Sequence, residues 1–366
     1  MVIASHGRLT LLVQLLESLF NASRSNGSDI EVLVVDSTPD GAGEAIQDAC
    51  SRTGAVFIEG AESVRRKRNL GAETATGKWL LFVDSDCTAA PDLFAQYLSA
   101  FRANPARLVA AGPTVFQGGE TAFTRRIGDS SLLGPFRRPG APGDLPWATT
   151  SNLCLQRDLF LSVGGFREDF PFRLGGDDTD LCLRLRSGGH RVLSVPEAVC
   201  FHSWNTWSHP LSVFRRSFRW GWMHAILLRE HPHYCRLDSP GLPVHALACL
   251  AVALICAVFG SVKALLAPLF FVGLAVALHA MLVAAGAPRH AKATAFWEDL
   301  VLAFVELPFG FGRVVGSLVG GTLLGAVYRL DVSDQEMDGR FPETVRSLWS
   351  DHLALLLTVF FIGYVL

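Results

Sequence analysis

Asp84-Ser85-Asp86 sets two carboxylates one residue apart, directly after the apolar run Trp79-Leu80-Leu81-Phe82-Val83. Both can reach one hard cation, and a cation held by one or two carboxylates commonly takes phosphate on its other side. A further acid, Asp36, follows Val32-Leu33-Val34-Val35, and His202 follows Val199-Cys200-Phe201. Asp177, Asp178 and Asp180 put three acids within four residues. Two basic runs stand apart from them, Arg65-Arg66-Lys67-Arg68 and Arg215-Arg216-Ser217-Phe218-Arg219-Trp220. Each feature also has a plain structural explanation. The Asp84–Asp86 pair is an Asp-rich turn after a strand. Acids in a first helical turn complement the helix dipole. A basic run is a solvated helix face, and an Arg/Trp run is an amphipathic helix on a membrane surface. A lone histidine at a strand end is structural. Three acids so close together strain the dipole explanation. Beside a phosphate-binding cation, the arginines gain a use as counter-charge to a diphosphate.

The elements that must position these groups are legible nearby. An apolar run as continuous as Trp79 to Val83 predicts a strand buried on both faces of a parallel sheet. Ligands of open α/β sheets sit beyond the carboxyl ends of such strands. Val2-Ile3-Ala4, residues 31–36 and Ala55-Val56-Phe57-Ile58 read as further strands. Leu11, Leu12, Leu15, Leu16 and Leu19 mark a helix after Arg8, and residues 44–52 and 63–75 read as helices. This alternation implies βαβ units and places Asp36 and Asp84 on one sheet edge. The stretch from Gly118 to Trp147 is rich in Gly, Pro and Arg. It reads as a long loop, either disordered or a substrate-facing lid.

A formal charge of −2 suggests no polyanion partner, so nucleic acid is not expected. The mean hydropathy of +0.31 is high for a wholly soluble chain. The excess lies beyond Leu242, in runs such as Leu247 to Phe259 and Leu265 to Val283. Pro243–Gly260 and Ala264–Ala285 are predicted as a hairpin of membrane helices. The basic Pro288-Arg289-His290-Ala291-Lys292 that follows fits a cytoplasmic loop. Residues 296–328, with Gly316, Gly320, Gly321 and Gly325, and the short Leu353–Leu366 bring the expected total to three or four. The eight cysteines form no C-x-x-C pair, which favours reduced thiols. No cleavable signal pattern opens the sequence, so residues 1 to about 230 are expected in the cytoplasm of a multi-pass membrane protein.

Val35-Asp36, then Arg68-Asn69-Leu70-Gly71, then Thr76-Gly77-Lys78 running into Asp84-Ser85-Asp86, resemble the nucleotide-binding half of family 2 glycosyltransferases with a GT-A fold. The resemblance implies an α/β, Rossmann-like GT-A catalytic domain over residues 1–230, followed by a membrane region over 231–366. It implies that Asp36 contacts the base or ribose of a nucleotide-sugar donor and that Arg68 lies near the nucleotide. Asp84 and Asp86 would hold Mg2+ or Mn2+ and the diphosphate, with His202 near the metal. The segment Ala4-Ser5-His6-Gly7-Arg8 departs from the family's Pro-Thr-Tyr-Asn. Thr150-Ser151-Asn152, Gly164-Gly165-Phe166 and Gly175-Gly176-Asp177-Asp178-Thr179-Asp180 are similar to its acceptor side. There Asp178 aligns with the base, with Asp177 in place of Glu, and Asn152 lies on the acceptor side. Arg219-Trp220 resemble part of the Gln-x-x-Arg-Trp motif of processive synthases. The implied function is inverting, metal-dependent glycosyl transfer to a hydroxyl of a lipid or glycan acceptor. A processive polysaccharide synthase and a non-catalytic membrane scaffold are the alternatives. The four acids Asp36, Asp84, Asp86 and Asp178 speak against the scaffold, which needs none of them.

Overall fold

The computed structural model describes residues 1–27, 29–172, 175–237, 242–259, 265–271, 273–274, 277, 307–322, 325, 328–330 and 357. They divide into two compact units, Met1–Thr121 with Leu133–Ser208, and Ala122–Leu132 with His209–Leu366. In chain order the first half of the elements is β1 (Val2–Ser5), α1 (Leu9–Asn26), β2 (Leu33–Asp36), α2 (Asp40–Thr53), β3 (Val56–Glu59), α3 (Val64–Thr74), β4 (Trp79–Val83), β5 (Cys87–Ala89), α4 (Leu93–Ala103), β6 (Val109–Ala111) and β7 (Thr114–Gln117). There follow α5 (Ala122–Asp129), α6 (Gly134–Arg137), β8 (Asp144–Leu145), β9 (Asn152–Gln156), α7 (Arg157–Ser162), α8 (Asp177–Ser187), β10 (Val192–Ser194), β11 (Cys200–Ser203), α9 (Pro210–Glu230), β12 (Cys235–Leu237), α10 (Leu242–Val258) and β13 (Tyr328–Leu330).

The first unit is built on an eight-stranded sheet of order β3-β2-β1-β4-β9-β6-β10-β8. Strand β4 shows why its sequence is apolar throughout. Leu81 and Val83 enter one core with Leu12, Leu15, Leu16 and Leu19 of α1. Leu80 and Phe82 enter the opposite core with Phe160 and Phe166. Period-two side chains on a strand covered on both faces need apolar groups at every position. Each fully buried Leu or Phe contributes roughly 1.5–3 kcal/mol by leaving water. Helix α1 stops at Gly27, whose φ of 59° is the left-handed conformation that costs glycine little.

The sheet is mixed rather than wholly parallel, which corrects the sequence expectation. Strands β1, β2 and β3 are parallel, as are β1 with β4 and β6 with β10. Strand β9 is antiparallel to both β4 and β6. Asn152 pairs with Val83, so β9 starts at the edge where β4 ends and runs back down. A parallel entry there would need a crossover to carry the chain to the far edge. A second, three-stranded sheet of order β5-β11-β7 lies beyond that edge in sequence. The stretch 118–147, expected as one long loop, contains α5, α6 and β8.

In the second unit α9 crosses the helical residues 307–319 backbone to backbone. A Cβ on Gly221 would lie 1.9 Å from the Phe309 carbonyl oxygen, and one on Gly312 would lie 2.0 Å from that of Phe218. Strands β12 and β13 pair antiparallel. Helix α9, which the sequence reading kept with residues 1–230, clusters with this unit. The expected membrane helix Pro243–Gly260 corresponds to α10, whose 17 residues span roughly 26 Å against a hydrocarbon core of about 30 Å. Among the described residues no helix is long and apolar enough to cross a membrane. Most of Ala264–Ala285, part of 296–328 and nearly all of Leu353–Leu366 lie outside the described residues.

Candidate active site

Strands β1, β2 and β4 deliver their last residues to one edge, with Ser5 in register with Asp36. Asp36 is buried, and its Oδ1 accepts from the Thr38 backbone N–H at 2.6 Å. Its Oδ2 and the Ser5 Oγ are buried with no hydrogen-bond partner among the described residues. Leaving a buried acceptor unpaired costs about 1–3 kcal/mol. A ligand N–H or O–H at this position would remove that cost.

The second acidic position lies where β5 and β11 pair antiparallel, with His202 opposite Cys87. His202 Nε2 stands 3.4 Å from Asp86 Oδ1. The other ring nitrogen, Nδ1, lies 3.0 Å from the Ser203 carbonyl oxygen. Nδ1–H donating there leaves a lone pair on Nε2, the usual way a protein prepares histidine as a metal ligand. A lone pair and a carboxylate oxygen this close repel unless a proton or a cation lies between them. The Cys87 thiol is near the same point. Burial, and next the charge of Asp84, push that thiol well above its ordinary pKa, so it stays protonated. With the thiol protonated in the metal-free site, the donors at hand are the Asp86 carboxylate and the His202 imidazole, and a carboxylate is the ligand type that Mn2+ and Mg2+ take. Asp86 Oδ2 is taken by Arg8 Nη1 at 2.7 Å.

Helix α3 supplies the cations that organise the remaining acids. Arg68 reaches Asp84 Oδ1 through Nη2 and Asp177 Oδ2 through Nη1, each at 2.8 Å. Its guanidinium also lies 5.5 Å from the Phe166 ring centre. Arg65 donates to the Phe172 and Gly175 carbonyls at 2.6 and 3.0 Å. Arg65, Lys67 and Arg68 are buried, so the reading of this run as a solvated face holds only for Arg66.

Gly175 and Gly176, at φ of 101° and 79°, turn the chain so that three acids open α8. Those acids then part company. Asp177 is spent on Arg68, and its Oδ1 accepts from the Gly175 N–H at 3.2 Å. Asp180, fully buried, pairs with Arg184 at 2.9 Å, and Arg184 also donates to the Val163 and Gly165 carbonyls. Asp178 is half-buried and makes no ion pair among the described residues; its Oδ1 accepts only from the Thr179 N–H, at 2.9 Å. Burial first, and the charge of Asp177 next, raise its pKa from 3.8 to about 7. A carboxyl poised near neutrality is suited to taking a proton.

Comparison with known proteins agrees with this geometry. Residues 1–162 match the family model "Glycosyl transferase family 2". A stretch of 179 residues is 30% identical to the succinoglycan biosynthesis protein ExoM of Rhizobium meliloti (strain 1021). It covers 46% of this chain, and the chain spans 54% of that protein's length. Among solved structures, the mannosyltransferase PcManGT from Pyrobaculum calidifontis, in complex with GDP-Man and Mn2+, aligns with a TM-score of 0.50 at 19% identity. That alignment covers 84% of this chain and 86% of the other and shows a shared GT-A fold.

Of the residues singled out in the sequence, Asp36, Arg68, Asp84 and Asp86 fall within the matched residues 1–162, and Asp177 lies beyond them; all five belong to the strand-end and α3–α8 network just described. Asp84, expected to hold the metal with Asp86, has its Oδ1 on Arg68 Nη2 at 2.8 Å and stands outside the Asp86, Cys87 and His202 group. The surroundings of two acceptor-side residues also differ from the expectation. Asn152, expected on the acceptor side, is fully occupied. Its Nδ2 donates to the Pro113 and Ala198 carbonyls, and its Oδ1 accepts from Tyr97 Oη at 2.8 Å. It ties β9 to neighbouring chain, with both Nδ2 hydrogens used on backbone carbonyls. Asp177 points into the Arg65 and Arg68 guanidinium groups instead of toward an acceptor. Arg219 and Trp220 lie on α9 in the second unit, the first exposed and the second half-buried. Arg8 and Arg184 had no role in the sequence reading, and Arg65 was read only within its run, as counter-charge to a diphosphate. Arg184 had a signal in its i,i+4 spacing from Asp180, whereas nothing in the sequence ties position 8 to position 86.

Proposed function

We propose that this protein is a metal-dependent, inverting glycosyltransferase that moves a sugar from a nucleoside-diphosphate sugar to a hydroxyl acceptor. The observation that carries the reading is the division of labour among the acids of α8. Arg68 and Arg65 absorb Asp177, Arg184 absorbs Asp180, and Asp178 stays half-buried with its pKa near 7. Asp178 takes the acceptor hydroxyl's proton as that oxygen forms its bond to the anomeric carbon. The bond from that carbon to the diphosphate breaks, and the electron pair leaves with the diphosphate. Attack on the face opposite the leaving group inverts the centre. Asp36 receives a donor N–H or O–H on its unpaired Oδ2. Asp86 and His202 would hold a divalent cation, which would supply positive charge beside the departing diphosphate. The donor and metal bound by the Pyrobaculum mannosyltransferase are of the class this site suits.

We also assign the chain to the cytoplasmic side of a membrane, with a lipid or lipid-linked glycan as acceptor. The support is compositional and local. Leu250, Val252, Leu254, Ile255 and Val258 of α10 are exposed, an apolar surface that water does not favour.

The test is thermal stability of the purified protein with UDP, GDP, dTDP or CDP, each with and without Mn2+. Ligand binding to the folded state raises the melting temperature by mass action. One nucleotide should stabilise, should need Mn2+, and should lose its effect in Asp86→Ala. No stabilisation by any of the four would argue against the reading.

A further inference from the structure

Resting on the donor and metal reading above, we propose that Arg8 is a cation in waiting. It neutralises Asp86 before the metal arrives, then passes to the donor diphosphate when the metal takes its place.

The pairing is uneven in a way that suits exchange. The Arg8 side chain is 40% exposed, whereas those of Asp86 and His202 are 4% and 5% exposed. A buried carboxylate without a counter-charge is costly, so Asp86 needs a cation at all times. Arg8 Nη1 holds Asp86 Oδ2 at 2.7 Å, the same carboxylate whose Oδ1 lies 3.4 Å from His202 Nε2. A divalent ion binding Asp86 and His202 makes that guanidinium redundant. Arg8 is half in solvent, so it can leave at little cost.

Its mounting fixes where it would go. Arg8 sits in the turn between β1 and α1, where Gly7 adopts φ of 66° and donates its N–H to Thr38 Oγ1 at 2.7 Å. The Thr38 N–H in turn donates to Asp36 Oδ1. A short chain of contacts therefore runs from Asp36, the nucleoside position, through Thr38 and Gly7 to Arg8 and Asp86, the metal position. A nucleoside diphosphate spanning those two ends lays its phosphates beside Arg8. A guanidinium presents paired N–H donors that match phosphate oxygens. Metal and donor binding are thereby coupled, each favouring the arrangement the other needs.

The experiment is Mn2+ titration of the full chain and of Arg8→Gln and Arg8→Lys, by calorimetry and by melting temperature, without nucleotide and then with the stabilising nucleoside diphosphate. Arg8→Gln should bind Mn2+ tighter than the native protein in the absence of nucleotide, by roughly tenfold, and should be stabilised more by it. At saturating Mn2+ it should bind the nucleoside diphosphate more weakly, with Arg8→Lys in between. A misfolded variant would not gain Mn2+ affinity. Equal or weaker Mn2+ binding in Arg8→Gln would overturn the exchange and leave the donor site intact, and so would tighter Mn2+ binding with unchanged nucleotide affinity. Failure of the native protein and both variants to bind Mn2+ under any condition would overturn the metal assignment itself, and the exchange with it.

Discussion

Helices α3 and α9 each carry a basic run, Arg65 to Arg68 in one and Arg215 to Arg219 in the other. In α3 three of the four cations are buried and tied to carboxylates or backbone carbonyls that come from more than 90 residues away, or from the end of the neighbouring strand. In α9 Arg215 and Arg219 are exposed beside exposed Leu211 and Phe214. A run of arginines therefore has no meaning by itself. Its fate depends on whether the fold brings acids to meet it. Gly175, Gly176 and the three acids that follow them do so for α3, in the first unit. Arg215 and Arg219 stay on the surface of the second unit.

This difference can be broken in order of expected effect. Arg68→Ala leaves Asp84 and Asp177 without their shared cation. Breaking such a buried pair costs about 3–5 kcal/mol. Denaturant unfolding should show a loss of that size, and Arg68→Lys, which cannot hold both acids at 2.8 Å, should recover only part of it. In the second unit, Gly221→Ala drives a methyl into the Phe309 carbonyl. Overpacking of this kind costs about 1–3 kcal/mol, and unfolding of the variant should reveal it.

Asp178 provides a sharper test, because its effect on stability changes with pH. Its proton is held to about pH 7 in the folded chain against an ordinary value of 3.8. Between those values the folded state binds more protons than the unfolded, so the contribution of Asp178 to stability is full below 3.8 and lost as pH rises through about 7. Asp178→Asn, which never ionises, should melt a few degrees higher than the native protein at pH 8 and lose that advantage by pH 4. The smallest effect belongs to α9. The double variant Arg215→Gln and Arg219→Gln should change stability by no more than about 0.5 kcal/mol. It should nevertheless weaken sedimentation with vesicles of anionic lipid, by about 1 kcal/mol per arginine.

The same contrast explains what could be read without the structure. Strand β4 and Asp84 were legible because burial on both faces forces an unbroken apolar run that ends where a ligand binds. Asp36 was legible for the same reason. The direction of β9 was not, since Leu153-Cys154-Leu155 has the same alternation whether its neighbours run parallel or antiparallel. The three acids of α8 were visible as a group, and the spacing of Asp180 and Arg184 offers their pairing, but the partner of Asp177 was not visible. Arg68 lies 109 residues before Asp177, and Arg184 lies one helical turn after Asp180. The partners of Asn152 were not legible because Tyr97, Pro113 and Ala198 are gathered only by the fold. Arg8 was hidden for the same reason, its partner lying 78 residues away.

The central claim is that Asp178 alone among the α8 acids is kept for proton transfer. The most direct measurement is sugar transfer by Asp178→Asn, from the donor whose nucleotide stabilises the protein, with donor affinity measured on the same sample. Transfer should fall by about 100-fold or more while donor affinity stays within about twofold of the native value. Transfer within a few fold of the native rate would remove Asp178 from the reaction and contradict the division of labour drawn here.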